Sequence, residues 1–179
     1  YKSFEPWSKP HFDKIKEMGW REDYNPKYVE VAFSNACNFK CSYCGPQYSS
    51  KWVEEVKQHG AYPTSDNFGN LEWLQENGKM PYKHSESNPY VDAFWEWWPE
   101  LYKDMDTFRI TGGEPTMSQD FWKLMKWWEN NKDCEVEFAV NSNLGQKQEL
   151  FEQLLKASHN VKSFHLYTSC EATGKDAEY

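Results

Sequence analysis

Four short stretches of this chain alternate apolar and polar residues with period two: Tyr28–Ser34 (YVEVAFS), Thr107–Thr111 (TFRIT), Glu135–Asn141 (EVEFAVN) and Val161–Ser169 (VKSFHLYTS). Between them the apolar period lengthens to that of a helix. Phe94, Trp97, Trp98, Leu101 and Tyr102 recur at i, i+3, i+4, i+7 and i+8. Phe121, Leu124, Met125 and Trp128 follow the same rhythm behind Ser118, a good N-cap, and Leu150, Phe151, Leu154 and Leu155 mark a third helix. Strands separated by helices cannot pair as hairpins. The order predicts an α/β fold of about four βα units, with parallel strands and right-handed crossovers.

The two faces of those strands differ. Val29, Val31, Phe33, Phe108, Ile110, Val136, Phe138, Val140, Phe164 and Leu166 form an apolar set suited to packing under helices. The opposite set carries Glu30, Ser34, Arg109, Thr111, Glu137, Asn141, Ser163, His165, Tyr167 and Ser169. Parallel sheets normally bury both faces. A polar second face therefore fits either an open barrel holding a polar ligand or a half-solvated sheet. Arg109, Glu137, His165 and Tyr167 on that face are either ligand contacts or a structural set, with Arg109–Glu137 as the candidate ion pair.

Composition removes several classes. Aromatic residues make up 18% of the 179, too many for a wholly disordered chain. No apolar run approaches the roughly 18 residues of a membrane span, and no signal-peptide pattern is visible. A net charge of −8 argues against an electrostatic nucleic-acid footprint. Residues 1–27 read as an N-terminal extension with a short helix at Pro10–Met18, and residues 28–179 as the core. Residues 47–88, rich in turn formers, read as an insertion after the first strand, with helical pieces near Lys51–Gln58 and Leu71–Glu76. Trp97, Trp98, Trp122, Trp127 and Trp128 are expected in packing. Trp52, Tyr62, Phe68 and Trp73 lie in the insertion, where they stabilise a subdomain or line an entrance. His11, His59, His84 and His159 are expected in solvent.

Three of five cysteines crowd into ACNFKCSYC: Cys37, Cys41 and Cys44. The other two, Cys134 and Cys170, stand alone and are expected to be simple buried or semi-buried thiols. A disulfide scaffold would spread even numbers of cysteines along a loop-rich chain. This spacing reads instead as a metal or cluster loop in a reducing compartment, which suggests the cytoplasm. A structural zinc site with a fourth ligand from elsewhere is the alternative. The loop follows the first strand, and ligand loops of parallel α/β folds sit at the carboxyl ends of strands. The second strand ends in Thr111-Gly112-Gly113-Glu114-Pro115. Paired glycines let backbone approach a ligand closely, although such a turn can also be an ordinary connection.

C-x3-C-x2-C followed one strand later by Gly-Gly-Glu-Pro resembles the radical S-adenosylmethionine (SAM) superfamily. The wording around the cysteines is similar to members with a C-terminal twitch or SPASM-type domain. The resemblance covers about residues 27–179 apart from the insertion. It implies a (βα)6-type barrel, here partial, holding a [4Fe–4S] cluster on three thiolates. A site with four thiolates fills every iron; three leave one iron for the amino and carboxylate groups of S-adenosyl-L-methionine. One electron then cleaves the cofactor to a 5′-deoxyadenosyl radical that abstracts hydrogen from substrate.

Carried over position by position, the resemblance makes Cys37, Cys41 and Cys44 the cluster ligands. Tyr43 would meet the adenine, and Phe39 would shield the cluster or simply pack the loop. Gly112, Gly113 and Glu114 would hold the SAM amino group. Asn141 and Asn143 at the end of the third strand, and Ser169 and Glu171 at the end of the fourth, would reach its carboxylate or ribose; ordinary turn capping is the other reading. The partners implied are an electron donor such as a flavodoxin or ferredoxin and a substrate. A peptide is the preferred substrate, with a nucleoside or other small molecule next. A complete core of this family has six βα units. Two more strands are therefore expected beyond Tyr179, and the 179-residue chain alone is expected to be unstable.

Overall fold

The structure, a computed structural model, describes residues 8–83, 86–131, 134–169 and 174–177. Its elements are α1 (Lys9–Glu17), β1 (Tyr28–Val31), α2 (Ser50–His59), α3 (Leu71–Glu76), α4 (Pro89–Asp104), β2 (Thr107–Ile110), α5 (Gln119–Asn130), β3 (Cys134–Asn141), α6 (Gln148–Ser158) and β4 (Val161–Tyr167). The four strands form one sheet in the order β1-β2-β3-β4, and every pair is parallel. The α/β architecture with about four strand units is as the periodicity predicts.

Register explains the two-faced composition. One row across the sheet reads Val29, Phe108, Phe138, Phe164, and another reads Val31, Ile110, Val140, Leu166. These rows meet α4, α5 and α6 through Trp98, Leu101, Phe121, Leu124, Trp128 and Leu154. Trp128 lies 4.3 Å from Phe138 between ring centroids, and Trp98 lies 5.2 Å from Phe108. The indole N–H groups of Trp98 and Trp128 find no acceptor among the described residues. Each such orphan costs about 1–3 kcal/mol, which the buried area of two indoles offsets. The row Glu30, Arg109, Ala139, His165 faces the other way.

The helices start where local chemistry permits. Asn88 caps α4, its side chain accepting from Tyr90 N, with Pro89 in the first turn, where a missing N–H is harmless. Ser118, which is buried, occupies the N-cap of α5 but makes no side-chain capping bond. Two strands are shorter at their carboxyl ends than alternation suggests. β1 stops at Val31 rather than Ser34, and β4 at Tyr167 rather than Ser169. Backbone bonds to loops replace the sheet ladder there, as described below.

The stretch 47–88 contains α2, a turn at Asn67–Gly69 and α3, so both expected helical pieces form. Leu74 of α3 is fully buried, and Phe68 packs edge-on against Trp73 at 5.6 Å with Lys79 over both rings. At the amino end, His11 corrects the expectation of a solvated side chain. It is half-buried, its Nδ1 2.9 Å from the Tyr24 hydroxyl and its Nε2 3.6 Å from Asp106. His59 and His159, the latter at the end of α6, are exposed as expected, while His84 lies outside the described residues. Cys134, at the start of β3, is half-buried.

The aromatic core is expected to dominate stability. Phe138→Ala should cost about 3–5 kcal/mol in denaturant unfolding. Trp20→Ala, at a side chain 87% exposed, should stay within about 0.5 kcal/mol. A loss at Phe138 no larger than that at Trp20 would contradict this placement of the core.

Candidate functional site

Beyond β1 the chain continues into the cysteine loop, and the turn after β2 passes directly against it. Thr111 N donates to Val31 O at 2.9 Å, Gly113 N to Ser34 O at 3.3 Å and Glu114 N to Ala36 O at 2.7 Å. Side chains would forbid this approach. A Cβ on Gly113 would sit 2.3 Å from Ala36 O, and one on Gly112 would sit 2.8 Å from Ser34 O. Gly112 also has φ +109°, a region that disfavours other residues. The glycines do permit close backbone contact, as expected. The backbone they admit is the protein's own cysteine-loop stem.

Glu114 is enclosed by its own turn and the turn after β3. Its side chain is 1% exposed and does not line the cavity where a cofactor contact would be. One carboxyl oxygen accepts from Thr116 Oγ1 at 2.7 Å, Thr116 N at 3.3 Å and Ser142 Oγ at 2.9 Å. The other accepts from Asn143 N at 2.8 Å. Glu114 thereby fixes the turn after β3. That turn reaches the cysteine loop in its own right, since Asn143 Nδ2 donates to Asn38 Oδ1 at 2.8 Å and lies 3.8 Å from Cys37 Sγ. Asn38 Nδ2 returns a bond to Gly145 O at 2.6 Å. A Cβ on Gly145 would meet the ends of the Asn38 and Phe39 side chains at 2.7 and 2.8 Å, so this turn packs closely on the cysteine loop.

Helix α2 holds the loop from the other side. Ser50 Oγ accepts from Cys37 N at 3.1 Å and donates to Cys37 O at 3.2 Å. Ser49 Oγ donates to Phe39 O at 2.8 Å, and Trp52 Nε1 to Cys41 O at 3.0 Å. Lys40 pairs with Glu55. These contacts were not legible from spacing, because hydroxyls before a helix read as capping residues; here they cap the cysteine loop instead. Cys37 is buried, while Cys41 and Cys44 are half-buried. Burial pushes the Cys44 thiol up, and the neighbouring Cys41 and Cys37 push it further in the same direction.

The cysteines open on a cavity of about 240 Å³ at the carboxyl end of the sheet. Its wall contains Cys37, Cys41, Cys44, Phe39 and Tyr43 from the loop, and Gly112 and Gly113 from the turn after β2. Asn141, Asn143 and Ser169 close it from the ends of β3 and β4. Tyr167, expected on the polar face as a ligand contact or a structural residue, and Ser142 of the turn after β3 also line it, together with Tyr48 and Thr168, for which the sequence carries no signal. Glu171 and Cys170 lie outside the described residues. Among the described residues, no three His, Cys, Asp or Glu side chains converge tightly enough to hold one metal ion. A larger groove of about 980 Å³ runs between α1 and α4. It contains no cysteine, and several of its polar groups pair with one another, as in Asn25 Nδ2 to Asp104 at 2.8 Å and His11 to Tyr24. The smaller cavity is the candidate site.

The expected Arg109–Glu137 pair does not form. Glu137 sits 3.4 Å from Lys162. Arg109 instead directs two N–H bonds at Asn141 Oδ1, 3.0 and 2.8 Å long, because Asn141 stands one pleat further along the neighbouring strand on the same face. No family model, no curated protein and no solved structure matches this chain.

Two outcomes follow for the site itself. Gly113→Ala and Glu114→Gln should each lower unfolding free energy by at least ~2 kcal/mol, the first by steric overlap and the second by setting an amide N–H2 against donors. Gly69→Ala, with open space around the new Cβ, is the control; equal effects at all three positions would refute the stitched turn. In metal-free protein at pH 8, Cys44 should react with iodoacetamide more slowly than a peptide cysteine, because a raised pKa leaves less thiolate. The gap should close as pH rises. Labelling at the peptide rate throughout would contradict the crowded, buried setting.

Proposed function

We propose that this chain is a radical SAM enzyme, with its parallel sheet forming part of a (βα)6-type barrel. The observation that carries the reading is one cavity at the strand ends, shared by Cys37, Cys41 and Cys44 with the Gly112-Gly113 turn. The donor set suits the cofactors. Three thiols line the cavity, and among the described residues no other His, Cys, Asp or Glu lines it with them. A cluster held there would keep one iron for a ligand beyond the three thiolates.

Cys37, Cys41 and Cys44 would hold the cluster, and Asn141 and Ser169 would face the bound SAM. The exposed rings of Tyr43 and Tyr48 offer apolar surface for its adenine. The chemistry supplied by the bound pair is one-electron cleavage of the sulfonium, giving a 5′-deoxyadenosyl radical for hydrogen abstraction. The protein's share is positional. Glu114 and the glycine turn hold the loop still, α2 fixes its carbonyls, and Phe39 covers it towards Gly145. A flavodoxin or ferredoxin as electron donor, a peptide substrate and a cytoplasmic, reducing setting belong to the same proposal.

Anaerobic reconstitution with iron and sulfide tests it. About four irons per chain are expected, together with 5′-deoxyadenosine formed from SAM under dithionite. Cys37→Ala, Cys41→Ala and Cys44→Ala should each abolish that product. One tightly bound zinc per chain with no SAM cleavage would overturn the reading in favour of a zinc-stabilised binding module.

A further inference from the structure

Arg109 is half-buried on the polar face of β2, and its contacts run to all three other strands. Its charge is met by Glu30 of β1 at 3.9 Å, and Glu30 accepts from the hydroxyls of Tyr28 at 3.0 Å and Thr111 at 3.3 Å. Tyr28 also hydrogen-bonds the guanidinium. On the far side the guanidinium lies 4.7 Å from the centroid of the Tyr167 ring on β4. Its register partner on β3 is Ala139, a small side chain past which Arg109 reaches along the strand. There Nε and one terminal nitrogen both donate to Asn141 Oδ1, at 3.0 and 2.8 Å. Arg109 is not a wall residue of the cysteine cavity, but Asn141 is.

A guanidinium carries donors and no acceptor, so the Asn141 amide can turn only its oxygen towards Arg109. The reversed amide would set N–H against N–H. Nδ2 is therefore directed away from the guanidinium. It has no hydrogen-bond partner among the described residues and is not buried. The side chains that follow in the same turn are spent inside the protein. Ser142 Oγ donates to Glu114 at 2.9 Å and accepts from Leu144 N at 3.0 Å. Asn143 Nδ2 donates to Asn38 Oδ1 at 2.8 Å and lies 3.8 Å from Cys37 Sγ, while its Oδ1 accepts from Gly145 N at 2.8 Å. Asn143 thus clamps the cysteine loop, and Asn141 keeps a free donor at the cavity wall.

We infer that Arg109 is a positioning residue of the cavity: it holds the Asn141 amide with Nδ2 outward, so that Asn141 gives a bound ligand a donor and never an acceptor. Arg109 touches no ligand itself. The orientation of the amide stands on geometry alone; that the ligand is SAM rests on the proposed enzyme function. The ligand meets Nδ2 with an acceptor atom, supplied either by its carboxylate or by its nucleoside end, and the two sources are separable by experiment. A guanidinium stays charged across the working pH range, so the amide is held the same way throughout it.

Two readouts test it. In the metal-free chain, NMR relaxation should show the Asn141 side-chain amide ordered in the wild type and mobile on the nanosecond scale in Arg109→Met. The cluster-reconstituted chain is titrated anaerobically with S-adenosylhomocysteine and with 5′-methylthioadenosine, which keeps the nucleoside and lacks the amino-acid end. Asn141→Ala and Arg109→Met should each weaken S-adenosylhomocysteine about tenfold, and Asn141→Asp at least as much, since it sets an acceptor where the donor stood. Arg109→Lys should keep part of the affinity, its ammonium being a donor without the fork. Added to Asn141→Ala, Arg109→Met should cost less than about twofold more, because the amide through which it acts is gone. A loss repeated in full in the Asn141→Ala background marks a merely structural residue and overturns the inference. Affinity indifferent to Arg109→Met, or an amide equally ordered with and without Arg109, overturns it too. A matching loss with 5′-methylthioadenosine assigns the acceptor to the nucleoside, and a loss confined to S-adenosylhomocysteine assigns it to the carboxylate. Binding of neither probe beside an amide ordered by Arg109 would fail the SAM reading alone and leave the positioning role supported.

Discussion

Everything at the carboxyl end of this sheet hangs on the buried carboxyl group of Glu114. Its oxygens accept from Thr116, Ser142 and the backbone of Asn143. Burying such a group without partners would be prohibitive, so its side chain and its donors fix one another. The backbone of Glu114 is meanwhile bonded to Ala36 in the cysteine-loop stem. One residue therefore couples the ends of β1, β2 and β3, and Ser142 N extends the coupling to Tyr167 O at the end of β4. The glycines before Glu114 make the coupling sterically possible, and the aromatic core beneath holds the strands that deliver it.

This arrangement prepares a loop before any ligand arrives. A flexible cysteine loop loses conformational entropy when it binds, and here much of that ordering is already built in. Cys37 has its backbone N–H and carbonyl on Ser50, and its sulfur accepts from Phe39 N at 3.4 Å. Trp52 anchors the Cys41 carbonyl. The thiols that result are mutually unfavourable as thiolates, which adds to burial in holding Cys44 above the ordinary thiol range. A multivalent cationic centre would relieve that repulsion, the usual coupling of metal binding to thiol ionisation.

Much of the fold was legible in the sequence, and the reason is periodicity. The apolar rows of the sheet and the stripes of α4, α5 and α6 are set by side-chain spacing, which a linear string displays. Tyr43, Asn141, Asn143 and Ser169 were brought to one cavity with the cysteines as the motif order implied. What the string did not display were contacts between segments far apart in sequence. The enclosure of the Glu114 carboxyl by Ser142 and Asn143 is one such contact, and nothing local in the sequence reveals it. Arg109 looked like a partner for Glu137 because both face one side of adjacent strands; the stagger of the strands gives it Asn141 instead. Ser49 and Ser50 gave no signal, since their partners are main-chain atoms of the cysteine loop, and nothing local tied Trp52 of the insertion to the Cys41 carbonyl.

The central claim is that three thiols hold an iron–sulfur cluster whose remaining iron is open to SAM. Electron paramagnetic resonance of the reconstituted, dithionite-reduced chain tests it most directly. The account predicts a reduced [4Fe–4S] signal whose g-values shift when SAM is added and do not shift with 5′-methylthioadenosine, which lacks the amino-acid end. A cluster signal indifferent to SAM, or no cluster signal beside stoichiometric zinc, would contradict it.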